Sequence, residues 1–365
     1  MKKRNMEKDV EVIRMTGITT NESNNLHLLI TINNKCNLSC KYCSPDKICI
    51  SSSKSKMELN VLDSLINTGL TGQKRVTFVW RRKEPLLRGL PFFEKIIEKQ
   101  KKYNRTTFIK NIIQTNLTLF NDKWAEFIVK NKLIIGFSYD GKSAQDITRS
   151  KTQKIVFNNM RILQKSKISS LGNIVVTKYN YKNIFEIIQE FESLNLDFDI
   201  SLATNYQDKD YNMFLTQEEW AEVVINVFNA WLNGKVNKNT FCERLLKTLI
   251  RNQNNSNINC EPQFCHRNHF VINSNGDIYT RDKFLQGGDS INNVQTINNF
   301  SEVSGSSQVD EIIKTISFPY ECTQCKWSSL CGINCPKKEE KDSMCQANKL
   351  IYSSLSKTVQ QLYSK

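Results

Sequence analysis

Cys36, Cys40 and Cys43 stand in the run Cys36-Asn37-Leu38-Ser39-Cys40-Lys41-Tyr42-Cys43, with three and then two residues between them. One short loop therefore carries three thiols, a spacing that fits a loop wrapped around a cubic iron–sulfur cluster. Three cysteines leave one iron of a [4Fe-4S] cube without a protein ligand. An iron with an open position can bind a small molecule and pass it an electron. The spacing also leaves open a zinc site, with Cys49 as the fourth ligand.

The 365 residues allow one large barrel domain and a smaller one. No apolar run approaches the ~18 residues needed to cross a membrane. The start, Met1-Lys2-Lys3-Arg4-Asn5-Met6-Glu7-Lys8, is charged and lacks the apolar segment of a signal peptide, so a cytoplasmic location is expected. In such a chain, twelve cysteines in clustered spacings point to metal or redox chemistry rather than to a disulfide framework. Cys49 and Cys242 fall outside the other cluster patterns and read as structural or incidental. The net charge of +15, from 51 basic and 36 acidic residues, suits nucleic acid or an acidic partner. Lys, Asn and Ile are abundant throughout, however, and the basic residues form no stripe interleaved with aromatics. An acidic peptide is the better expectation, and nucleic acid is not expected as a partner.

From about residue 27 to 235, apolar β-type runs alternate with amphipathic stretches. Strands are expected over 27–33, 75–80, 107–115, 133–139, 171–177 and 197–203. Helices are expected over 56–68, 90–103, 121–131, 152–166, 180–194 and 216–233. Asn60 or the polar run before it, Asn121-Asp122, and Thr216 with the acids behind it offer helix starts. Six β–α units in order imply a parallel sheet with helices outside, curled by the crossover rule into a partial barrel. The expected fold class is thus α/β. A partial (β/α)6 TIM-like barrel spans 25–235, after an extension over 1–24. A small cysteine-rich domain with a C-terminal helix spans 236–365, held by metal more than by an apolar core. Cys36, Glu84, Asn116, Ser138 and Asp140 fall just past successive strand ends, the rim where barrel enzymes put their chemistry.

The tail reads Cys322-x2-Cys325-x5-Cys331-x3-Cys335, then Cys345, with Cys260 and Cys265 upstream. A double zinc ribbon is the alternative, although ribbons favour paired two-residue spacings.

The stretch over 31–43 resembles the signature of the radical S-adenosylmethionine (SAM) superfamily. The tail resembles the SPASM domain of its peptide-modifying members, and 218–231, 272–282 and 322–336 are similar to the anaerobic sulfatase-maturase branch. The resemblance implies a [4Fe-4S] cluster on Cys36, Cys40 and Cys43, with SAM on its open iron cleaved to a 5′-deoxyadenosyl radical. It implies one or two auxiliary [4Fe-4S] clusters, the outer on Cys322, Cys325, Cys331 and Cys345, the inner on Cys260, Cys265 and Cys335. Tyr42, Glu84, Asn116, Ser138, Asp140 and Arg149 would bind the cofactor, and Asp282 would be the catalytic general base.

Two departures stand against that pattern. The family carries Gly-Gly-Glu-Pro after the second strand; here Arg82-Lys83-Glu84-Pro85 lacks both glycines, which serve close backbone approach. Arg82 and Lys83 are therefore expected to reshape the pocket and to place unfavourable charge near a sulfonium. The inner cluster's eighth cysteine is replaced by Arg281, leaving an open iron, a substitute ligand (His266 and His269 are candidates) or no cluster. The expected function is a peptide- or protein-modifying radical SAM enzyme, served by a reductant such as flavodoxin or ferredoxin. It is read first as a maturase of ribosomal peptides, with a sulfatase maturase making formylglycine, or a degenerate peptide-binding pseudoenzyme, as alternatives.

Overall fold

The computed structural model describes residues 25–43, 56–104, 106–203, 211–237, 240–253, 266–280, 289–315, 320–331 and 344–363. Six strands come first in the sheet: β1 (Asn25–Ile30), β2 (Arg75–Trp80), β3 (Phe108–Thr115), β4 (Ile134–Ser138), β5 (Ser170–Val176) and β6 (Asp197–Leu202). They alternate with α1 (Leu59–Leu70), α2 (Leu90–Tyr103), α3 (Asp122–Asn131), α4 (Gln153–Lys165), α5 (Ile184–Ser193) and α6 (Gln217–Leu232). The strands pair in parallel in chain order, and β6 does not pair with β1, so the barrel stays open.

The alternation of side chains explains the curl. In β1, Leu26, Leu28 and Ile30 are buried while Asn25, His27 and Leu29 are half-buried. The buried set faces the helices. Trp80 of β2 stacks with Phe78 at 5.7 Å and meets Phe93 of α2 edge-on, and Phe137 of β4 stacks on Phe191 of α5. Each such fully buried side chain contributes about 1.5–3 kcal/mol. The opposite face turns into the barrel and is partly polar, with Ser201 Oγ donating to Asn173 Oδ1 at 3.1 Å. Leu29, Val271 and Tyr279 form a small apolar cluster of their own there. Asn121 caps α3 by accepting from Trp124 N, and Thr216 and Glu219 form a capping box on α6. Helix α1 starts after Glu58 with no side-chain cap, so Asn60 does not play that part.

The sheet does not stop at residue 235. Strand β7 (His269–Ile272) adds in parallel to the far side of β1, followed antiparallel by β8 (Asp277–Thr280) and β9 (Asn292–Asn293). Helix α7 (Thr240–Gln253) lies against β6, where Arg244 grips Asp199 with two bonds of 2.9 and 3.0 Å. Cys242 is fully buried on that helix and packs in the main core. Helix α8 (Cys345–Tyr363) runs beside α6; the Gln217 side-chain oxygen accepts from Gln346 N and Ala347 N. Its Ala347, Ile351, Leu355 and Val359 join the same core as Phe228 and Leu330. The described tail thus leans on an apolar seam that recurs every four residues along α8. Among the described residues no helix is long and apolar enough to cross a membrane.

Candidate active site

The loop after β1 carries the three thiols at the C-terminal rim of the sheet, and neighbouring loops clamp it at three places. At its start, Asn33 Nδ2 donates to Glu84 O at 2.9 Å and Glu84 N donates to Lys35 O at 3.2 Å. At Cys36, Asn116 Nδ2 donates to Asn37 Oδ1 at 2.9 Å and lies 3.9 Å from Cys36 Sγ. Asn37 in turn donates to Thr118 Oγ1 at 2.8 Å. At its far end, Ser39 N donates to Ser150 Oγ, Lys41 N to Thr148 O, and Tyr42 OH to Asp140 Oδ2 at 2.5 Å.

This scaffold leaves the sulfurs accessible: Cys36 and Cys43 are exposed and Cys40 is half-buried, all three free of disulfides. Among the described residues no three His, Cys, Asp or Glu side chains converge on one ion position. A cube takes each thiolate on a different iron, so accessible thiols on a loop braced from behind fit that group. Burial pushes the Cys40 thiol up to about 11, against the pull of the Arg149 charge, and raises Cys36 in the same way.

Glu84 is wholly buried, and its carboxylate accepts from Leu86 N at 3.0 Å, Thr115 Oγ1 at 2.7 Å and Asn116 N at 2.7 Å. Burial raises its pKa, while these three donors pull the other way. A carboxylate offers about four acceptor positions, so one remains for a further donor such as an ammonium. Its first structural part is to tie the end of β3 to the thiol loop.

Arg82 and Lys83 have φ of 72° and 49°, the left-handed conformation that glycine adopts freely. The loop thus keeps a glycine-type backbone, and the expected reshaping concerns what projects from it rather than its path. Left-handed backbone costs a side-chain-bearing residue about 1–2 kcal/mol. Glycine gives back about 0.5–1 kcal/mol of that through unfolded-state entropy. Arg82→Gly/Lys83→Gly should therefore gain about 1 kcal/mol in urea unfolding, with iron content unchanged. A loss of stability would show that the two side chains contribute more than the strain costs.

Asp140, also wholly buried, closes the third clamp. Its Oδ2 accepts from Tyr42 OH, from Thr148 Oγ1 at 2.7 Å and from Arg149 Nε at 3.2 Å. Arg149 Nε also donates to Tyr42 OH at 2.5 Å, and its guanidinium lies 5.3 Å from the Tyr42 ring centre. Burial pushes the Tyr42 phenol well above its ordinary value, so it stays a neutral donor to Asp140. Gly141 follows with φ of 85°, and a Cβ there would lie 2.2 Å from Ile187 of α5. Tyr42, Asp140 and Arg149, expected singly at a cofactor, are thus brought together as one lock. Asn116 is likewise held under Cys36. Ser138 sits half-buried at the end of β4, beside Asn173 of β5.

In the tail, Cys322 and Cys331 are half-buried on two short helical turns, Cys325 is half-buried between those turns, and Cys345 opens α8 exposed. Trp327 and the Tyr352 ring, 6.0 Å apart, seat that segment on α8. His269 starts β7 and meets His27 edge-on at 4.6 Å. Cys49, Cys260, Cys265, Arg281, Asp282, Cys335 and the extension over 1–24 lie outside the described residues. The clamp residues Asn33, Asn37, Thr115, Thr118, Thr148 and Ser150 were not singled out in the sequence. Their one signal is position, beside a cysteine or a strand end, where Asn, Ser and Thr also serve ordinary turns.

An open, parallel α/β barrel with three thiols on its first rim loop defines a class. The model of the radical SAM superfamily matches residues 30–191. The chain is 30% identical over 335 residues to a cysteine-type anaerobic sulfatase-maturating enzyme of Clostridium perfringens, covering 84% of this chain and 88% of that one. Its fold matches native anSMEcpe with bound AdoMet and Cp18Cys peptide, with TM-score 0.79, 25% identity, and 93% and 98% of the two chains covered. It also matches Streptococcus suis SuiB bound to precursor peptide SuiA in fold, with TM-score 0.66, 16% identity, and 94% and 80% covered. The chain belongs to the radical SAM superfamily and is closely related to the anaerobic sulfatase-maturating enzymes. It is an enzyme of that superfamily, whose cofactors are a [4Fe-4S] cluster and AdoMet.

Proposed function

We propose that the protein is a cytoplasmic maturase of the sulfatase-maturating type, oxidising the β-carbon of a cysteine or serine in a peptide or protein substrate to the formylglycine aldehyde. The observation that carries this is the alignment with a cysteine-type enzyme over 88% of that enzyme's length. It outweighs the ribosomal-peptide reading, which rests on a likeness of fold. Cys36, Cys40 and Cys43 would hold the SAM cluster, and the tail cysteines one or two auxiliary clusters. When bound, cluster and AdoMet supply reducing power and removal of a substrate hydrogen atom. The protein's own part is orientation. Asn116 and Asn37 fix Cys36, the Asp140 lock fixes Cys40 and Cys43 through Tyr42, and Glu84 keeps one acceptor position for an ammonium. Asp282 is the proposed base for the substrate, and a flavodoxin or ferredoxin the proposed reductant.

The test is anaerobic reconstitution with SAM, a reductant and a cysteine peptide copied from a sulfatase. Release of 5′-deoxyadenosine with a hydrazide-reactive peptide is expected. Deoxyadenosine without an aldehyde, accompanied by a crosslinked precursor-type peptide, would replace this reading with the ribosomal-peptide one.

A further inference from the structure

We propose that Gln114 binds a backbone amide of the substrate peptide inside the barrel. The inference rests on the peptide-modifying reading above and adds to it a residue that positions the substrate. On β3, Ile113 is fully buried in the core under the helices, so Gln114 next to it faces the lumen. Its partner in register on β4 is Gly136, between Ile135 and Phe137, which are both buried on the helix side. The Gln114 side chain lies against that glycine: a Cβ at position 136 would stand 2.1 Å from Gln114 Oε1 and 3.0 Å from Cδ. Glycine weakens a strand interior and often marks a place of close approach. Here it is the Gln114 amide that approaches.

Shape thus seats this side chain, and no hydrogen bond holds it. Gln114 is half-buried, and neither its oxygen nor its nitrogen has a hydrogen-bond partner among the described residues. Ser138, the residue expected at the cofactor, stands two residues further along β4, so Gln114 sits one pleat deeper than the rim. Beside Ser138 on β5 is the half-buried Asn173, whose oxygen accepts from Ser201 Oγ of β6. The charged side chains on the lumen face of β3 to β6 are Lys110, four residues before Gln114, and Asp197 and Asp199, three strands away. Arg244 already occupies Asp199. The wall around Gln114 is therefore polar and neutral. A primary amide presents one acceptor oxygen and two donor hydrogens. Every residue of a peptide backbone offers the complement, a C=O and an N–H. A peptide that brings its cysteine to the rim and covers this wall removes water from Gln114, which makes a matched pair favourable and an unmatched one costly.

The experiment uses the reconstituted full-length protein with SAM and a fluorescein-labelled cysteine peptide copied from a sulfatase. Anisotropy should show Gln114→Leu binding the peptide about tenfold more weakly, with SAM affinity and iron content unchanged and the urea midpoint no lower than in the wild type. A lower midpoint with unchanged peptide affinity would make Gln114 a packing residue and overturn the proposal. Weaker SAM affinity would assign it to the cofactor and overturn it equally. Gly136→Ala, whose methyl group meets the end of a flexible side chain, should cost comparable peptide affinity. In a Gln114→Ala background the same alanine should cost nothing more; equal losses in both backgrounds would mean that position 136 acts on its own, against the proposal. Backbone recognition is read from peptides in which one amide at a time is an ester. One position should lose about tenfold in the wild type and nothing in Gln114→Leu, and a series with no sensitive position would overturn the assignment to the backbone. The aldehyde is measured separately. Peptide bound through Gln114 without aldehyde removes the maturase reading alone, and aldehyde with unchanged binding in Gln114→Leu removes this inference alone.

Discussion

Replacing Cys36, Cys40 and Cys43 together by alanine should abolish 5′-deoxyadenosine release and remove about four irons per chain from the reconstituted protein. The fold should survive the change. The thiol loop is held by Asn37, Ser39, Lys41 and Tyr42, through bonds that do not use a sulfur. Two polar groups approach Cys36 Sγ, Leu38 N at 3.5 Å and Asn116 Nδ2 at 3.9 Å, and both contacts are weak. In the metal-free proteins the variant should therefore unfold within about 1 kcal/mol of the wild type. Irons attributable to the tail cysteines should remain. A triple variant that keeps all its iron and still cleaves SAM would move the reactive cluster away from this loop.

The barrel was legible because its signal is periodic. Leu26, Leu28 and Ile30 mark the buried face of a short apolar run, the β-type signal that repeats before each amphipathic stretch, and Thr216 with Glu219 spells a helix start outright. The thiol loop was legible because cysteine spacing is rigid chemistry. The clamps were not. Asn116 reaches Asn37 across 79 positions, and Asp140 reaches Tyr42 across 98; no local pattern encodes such a pairing. The continuation of the sheet into β7 was hidden for the same reason, since His269–Ile272 is a strand of four residues that acquires meaning only beside β1. Helix α8 was half hidden: its apolar seam is present in the sequence, but the cysteines around it drew the reading toward metal. At Arg82 and Lys83 the sequence pointed to an altered loop, and the backbone angles show that the conformation was kept while the side chains changed. Substitution at a glycine position can be absorbed as strain when neighbouring bonds, here Arg81 N to Ile30 O and Glu84 N to Lys35 O, hold both ends.

Asp140→Ala should be the most damaging single substitution in the site, costing about 3–5 kcal/mol in urea unfolding. Three donors converge on Asp140 Oδ2, and one of them is a guanidinium that is 7% exposed. Removing the carboxylate leaves Arg149 charged and buried, with the neutral phenol oxygen of Tyr42 as its remaining partner in the lock. The same change releases Tyr42, which anchors the end of the loop between Cys40 and Cys43. SAM cleavage should thus fall along with stability, although Asp140 touches none of the thiols in a hydrogen bond. Asp140→Asn keeps the shape and an acceptor oxygen, so it should lose less stability than alanine while turning one amide edge against the Arg149 and Tyr42 donors. Arg149→Met in the Asp140→Ala background should recover part of the loss, because it removes the orphaned charge. If the single alanine variant unfolds within about 1 kcal/mol of the wild type, Arg149 finds water or another partner, and the thiol loop is not held through Tyr42. A large loss that the added methionine fails to reduce would instead place the damage in the Tyr42 and Thr148 bonds, with the buried charge a bystander.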